Sequence, residues 1–207
     1  CRNLCPASAN ADTPLLLVPI PDLPTDVKRI MVSPQSPLPH EHELIAIIDA
    51  DPALATEMLF YAQSPLFGGA TDLISVMDTS TAVSKVYGLE FATDFAFGLS
   101  LWKLLEMTPD GPIGRNALKL HGIMCATLLA RLHRDIQASG LNVSRLCLAG
   151  LVHNLGFALH AHAAPARHFV LNKLIAANPQ VSLLTLETSI AAQASQTGVT
   201  APLHDEI

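Results

Sequence analysis

Apolar residues along this chain recur at three- and four-residue intervals, and no stretch alternates in the two-residue period of a strand. In EHELIAIIDADPALATEMLFYAQS, residues 41–64, that spacing predicts two helices. Leu44, Ile45, Ile47 and Ile48 form the buried side of the first; Leu54, Met58, Leu59 and Tyr61 or Ala62 form that of the second. Asp51 is placed to cap the second helix, with Pro52 in its first turn, where the missing N–H costs nothing. A short helix through Met31, capped at Thr25 or Asp26, comes before them, set off by the three-proline loop SPQSPLPH at 33–40.

After an irregular, glycine-bearing loop, SPLFGGATDLIS, the helical pattern resumes. MDTSTAVSKVYGLE predicts a short helix capped near Asp78 or Thr79 and closed by Gly88. Residues 89–106, LEFATDFAFGLSLWKLLE, are nearly all apolar, which predicts a central helix. MTPDGPIG breaks the pattern and marks a boundary between two lobes. RNALKLHGIMCATLLARLHRDIQASG predicts a long helix closed by Gly140, and Asn142 or Ser144 opens VSRLCLAGLVHNLGFALHAHA as a single helix halted near Pro165. Two further helices follow, ARHFVLNKLIAAN and a last one opened by Ser182. The expected fold class is all-α, about ten helices in one domain over 19–207, after a flexible leader at 1–18. Its lobes run over about 19–110 and 111–207, and PLHDEI at the end reads as a helix start cut short.

Composition sharpens this picture. Half the residues are hydrophobic, only 14% are charged, and the mean hydropathy is +0.36. Such a chain packs densely and leaves apolar surface for contacts with other domains or with itself. Charges, prolines or histidines interrupt each apolar run before membrane-span length, and PLLLVPIP lacks the basic flank and cleavage site of a signal peptide. No membrane association and a cytoplasmic location are therefore expected. The net charge of −6 is uneven: residues 1–110 hold five Lys/Arg against fourteen Asp/Glu, residues 111–207 seven against four. An acidic half, and a second half with scattered basic residues and few aromatics between them, argue against nucleic-acid binding. Cys125 and Cys147 lie within apolar helical patterns and read as small core residues, while Cys1 and Cys5 lack the further ligands a zinc site needs.

Seven of the nine histidines fall in the second lobe. His121 and His153 sit in mid-helix on successive helices, so they can meet across a pocket. A hard divalent ion there requires carboxylates, and the lobe offers only Asp135, Glu187, Asp205 and Glu206. Asp135 lies fourteen residues from His121, roughly 21 Å along a helix. The two histidines are thus expected to be half-buried and hydrogen-bonded, ahead of a metal site or another ligand. His160 and His162 are expected at a solvated helix end, and His133 near a helix C-terminus where positive charge is favoured.

The order IPDLPTDVKRIM, LIAIIDADPALATEMLFYAQSPLFG, ISVMDTSTAVSKVYGLEFATDFAFGLSL, LHGIMCATLLARL and CLAGLVHNLG resembles the HDOD family, the HD-related output domain of bacterial signalling proteins, over residues 19–160. The resemblance implies an N-terminal helical bundle packed on an HD-like helical lobe, and a role in signal transduction without established catalysis. Carried over by position, His121 and His153 match the two histidines of the HD pattern, and Asn154 stands where active HD phosphohydrolases place a metal-binding aspartate. Phe157 stands in place of a lysine, and His204 is a candidate for the later histidine. Asparagine offers one neutral carbonyl oxygen where aspartate offers two anionic ones. His121, His153 and Asn154 are accordingly read as vestigial metal positions, with no catalytic residue, metal or cofactor expected. The expected function is regulatory, through signalling or response-regulator-type protein partners or self-association. The alternatives are an HD-type phosphohydrolase with altered ligands, acting on a phosphoester, nucleotide or cyclic dinucleotide, and a small-ligand sensor using the His121–His153 cavity.

Overall fold

The computed structural model describes residues 25–30, 38–67, 78–136 and 140–196. The chain is all-α, with no strand among the described residues. The leader, Cys1, Cys5, the 68–77 loop, His204 and the terminal acids lie outside them.

Helices α1 (Thr25–Ile30), α2 (Glu41–Asp49) and α3 (Pro52–Ala62) follow the apolar spacing closely. Leu44, Ile47, Ile48, Leu54, Met58, Tyr61 and Ala62 are buried, with Ile45 and Leu59 packed at the margin. Asp51 caps α3 by accepting from the amides of Ala53 and Leu54, both at 3.1 Å. Burial would raise its pKa, but the ammonium of Lys103 and these two amides outweigh that and lower it. Element α4 starts as a turn, Thr79–Thr81, capped by Asp78, and runs on as a π-helix, Ala82–Tyr87. Gly88 ends it at φ +74°, its amide reaching back five residues to the Val83 carbonyl. The apolar spacing foretold a helix here but not its wider winding.

Helix α5 (Leu89–Lys103) is central, as its composition predicts, and it ends three residues earlier than expected. Ala92, Phe95, Ala96, Leu99 and Trp102 are all buried, and Phe95 lies against Tyr61, Phe67, Tyr87 and Phe91 at centroid distances of 5.3–5.8 Å. Tyr87 donates its hydroxyl to the Met58 carbonyl at 2.6 Å, which ties α4 to α3. The segment between α5 and α6 is held by buried Asn172, which donates to the Asp110 carbonyl at 2.6 Å and accepts from the Ile113 amide at 3.1 Å.

Helix α6 (Arg115–Ile136) packs along α7 (Val143–Val152), and α7 packs on α5. Asn142 caps α7, accepting from the Arg145 amide at 3.0 Å. Two glycines let α6 and α7 approach closely. A Cβ on Gly122 would stand 2.4 Å from the Leu151 carbonyl oxygen, and one on Gly150 would stand 2.8 Å from the Ala126 nitrogen. Arg145 pairs with buried Asp94 of α5 at 3.2 Å; burial pushes the Asp94 carboxyl up and the guanidinium partly offsets it.

The expected single helix over 143–163 is in fact two, α7 and α8 (Leu155–Ala163), with a turn at His153–Asn154. The last carbonyls of α7 find other partners. Gly150 O meets the His153 ring at 2.7 Å, and Leu151 O accepts from the Trp102 indole at 3.2 Å. Contrary to the reading of the apolar runs, Val143–Ala163 is long and apolar enough to cross a membrane by length and composition. In this fold 28% of that stretch is buried, Cys147, Gly150, Leu151, Ala158 and Ala161 among it. Pro165 opens α9 (Pro165–Ala177) rather than merely halting α8, and α10 (Leu183–Gln196) follows Ser182, whose hydroxyl accepts from the Thr185 amide. One contiguous core runs from Ile30 to Ala161.

Candidate functional site

Helix α6 and the α7–α8 turn bring His121 and His153 together, with ring centroids 5.1 Å apart and planes at 56°. The sequence predicts the meeting, but both side chains are exposed rather than half-buried. A helix break at residue 153 puts that ring at the surface, where a continuous helix was expected to hold it inside. His153 Nδ1 lies 2.7 Å from the Gly150 carbonyl, which can only accept, so Nδ1 carries the hydrogen, and in the neutral ring the lone pair is on Nε2.

The third member is Cys125, one turn after His121. Its sulfur is 3.5 Å from His121 Nε2. A ring nitrogen of each histidine and this sulfur all lie within 4.8 Å of one another. Cys125 is half-exposed and not the core residue that its apolar surroundings suggest. Cys147 does fit that description: it is buried, donates to the Ala126 carbonyl at 3.4 Å, and burial pushes its pKa up to about 11. The signal for Cys125 was its four-residue spacing from His121, which places both on one helical face.

Asn154 is half-buried in the turn before α8; its carbonyl accepts from the Ala158 amide and its side chain makes no capping hydrogen bond. Among the described residues no carboxylate joins the histidine pair. The described donors therefore do not fit the hard metal ion that HD phosphohydrolases imply. Two imidazoles, a thiol and a neutral amide lack the anionic oxygens that hold a hard cation or acidify its water.

The remaining histidines play other parts. His133 contacts the Leu141 carbonyl at 3.2 Å. His162, expected in solvent, is half-buried and accepts from the Glu106 amide at 3.0 Å. His168, which the sequence did not single out, is buried on α9 against Phe157, its Nε2 without a partner among the described residues. Burial, with His160 nearby, lowers its pKa. On α6, Leu120, Met124, Leu128 and Leu132 form an exposed apolar stripe at four-residue spacing. A cavity of about 380 Å³ opens between this stripe and the site, lined by His121, Met124, Cys125, Thr127, Leu128 and Arg131.

An all-α fold and a histidine pair that no carboxylate joins among the described residues are the features set against known proteins. The HDOD domain model matches residues 20–203, and the chain belongs to the HDOD family. It is similar to the crystal structure of a protein from Marinobacter aquaeolei VT8 described as a "putative signal transduction protein", at 25% identity and a TM-score of 0.56. That similarity covers 86% of this chain and 41% of the other, so this chain spans about two fifths of the Marinobacter protein's length. No curated protein matches the chain.

Proposed function

We propose that this chain is a non-catalytic, cytoplasmic regulatory module of signal transduction that acts by binding protein partners of the signalling or response-regulator type. The observation that carries the reading is the His121–His153 pair, assembled without a carboxylate among the described residues and with Asn154 in the turn beside it. Membership of the HDOD family and the signalling description of the Marinobacter protein support the same role. The exposed Leu120–Met124–Leu128–Leu132 stripe supplies a contact face, since apolar side chains at that spacing lie along one side of a helix.

The competing reading, a metal-dependent HD-type phosphohydrolase with altered ligands, is favoured by the convergence of the two rings. Assaying the full chain on phosphoesters, nucleotides and cyclic dinucleotides with Mg²⁺, Mn²⁺ or Fe²⁺ separates the two. No turnover above the protein-free rate is expected, and Asn154→Asp is expected to remain inactive. Metal-dependent turnover that His153→Ala abolishes would overturn the proposal.

A further inference from the structure

A cluster of imidazoles and a thiol, poorly suited to hard cations, has the donors that softer ones take. We infer that His121, Cys125 and His153 form a three-ligand site for a borderline-soft transition metal such as Zn²⁺. Imidazole and thiolate are the donors such ions select, and the thiolate brings the negative charge that Asn154 does not. The geometry is close to that of a loaded site. Bonds of about 2.3 Å to sulfur and 2.0–2.1 Å to nitrogen set tetrahedral ligands roughly 3.5 Å apart. Cys125 Sγ and His121 Nε2 are separated by 3.5 Å, and the widest separation within the trio stays inside 4.8 Å, a gap that small side-chain rotations close.

A second observation is independent of these distances. The Gly150 carbonyl holds the Nδ1–H of His153, which orients the ring and keeps Nε2 available, the outer contact that metal-bound histidines use. That carbonyl belongs to the last turn of α7, and Gly150 itself is wedged against Ala126 of α6. The ligand on the turn is thus braced by the helix that carries the other two. Arg131 lines the same cavity but sits six residues past Cys125, about 9 Å further along the helix. On binding, the ion replaces the thiol hydrogen, which leaves to solvent as a proton, and no oxidation state changes.

Titrating the full-length chain with Co²⁺ tests this, because tetrahedral cobalt–thiolate sites have intense visible bands and a near-ultraviolet charge-transfer band. One equivalent is expected to develop both, and Zn²⁺ to displace it. Cys125→Ser should lose the charge-transfer band, and His153→Gln should weaken binding by at least about tenfold, with circular dichroism showing both variants folded. Should His153→Gln fail to fold, His121→Gln, on the exposed face of α6, takes its place. A weak octahedral spectrum would mean that the contact is only an S–H···N hydrogen bond and would overturn the inference. A charge-transfer band surviving in Cys125→Ser would do the same by moving the ion to other cysteines. Phosphoester turnover plays no part in these readouts, so the regulatory proposal and this one stand or fall separately.

Discussion

At the scale of single residues, chemistry in this chain depends on what a few polar groups find beside them. His168 finds little. It is buried on α9 beside Phe157, with His160, Arg167 and Glu187 lining the small space around it, and its pKa is lowered chiefly by burial. In the unfolded chain the ring titrates near about 6.5. Below that pH the unfolded state takes up a proton that the native ring resists, so its contribution to stability is complete above about pH 6.5 and is lost as pH falls towards the lower native value. Urea denaturation between pH 7.5 and 5.5 should show the native chain losing more stability than His168→Leu; equal slopes would contradict the assignment. Nothing in the spacing of ARHFVLNKLIAAN separates His168 from its exposed neighbours. Only tertiary burial does. Cys125 shows the converse: its apolar context suggested the core, and its distance from His121 proved the better guide.

At the scale of elements, the sequence was most legible where a cap and an apolar face agree. Asp51–Pro52 opening α3 and Asn142 opening α7 needed no tertiary information. The break at His153–Asn154 did need it. The apolar pattern runs through that point, but the last carbonyls of α7 are taken by the Trp102 indole and the His153 ring, partners that arise only in the folded chain. Close approach of α6 and α7 sets the distance between the two histidines, and Gly150 permits it. Gly150→Ala should therefore destabilise the fold by about 1–3 kcal/mol in chemical denaturation. Gly156→Ala, with open space at its Cβ at an exposed position of α8, should be neutral or stabilise by up to about 1 kcal/mol. Equal effects of the two would contradict the packing described.

At the scale of the whole molecule, fold class and family were readable because both are written in helix periodicity and motif order. The site was half readable. Pairing of His121 with His153 follows from two adjacent helices, and Asn154 in the turn beside them is a neutral amide. Exposure of both rings depends on how α6 meets the turn, which no one-dimensional pattern encodes, whereas the thiol's place beside His121 is written in their four-residue spacing. On the proposed reading, the donor set assembled among the described residues does not suit a hard ion. Manganese makes the sharpest probe of that claim, since it favours oxygen ligands and its free aquo ion has a six-line paramagnetic resonance spectrum. Adding the full chain to a substoichiometric amount of Mn²⁺ should leave that signal at full intensity. Quenching that is restored by His153→Ala would show a hard cation held between the histidines, and the central claim would fail.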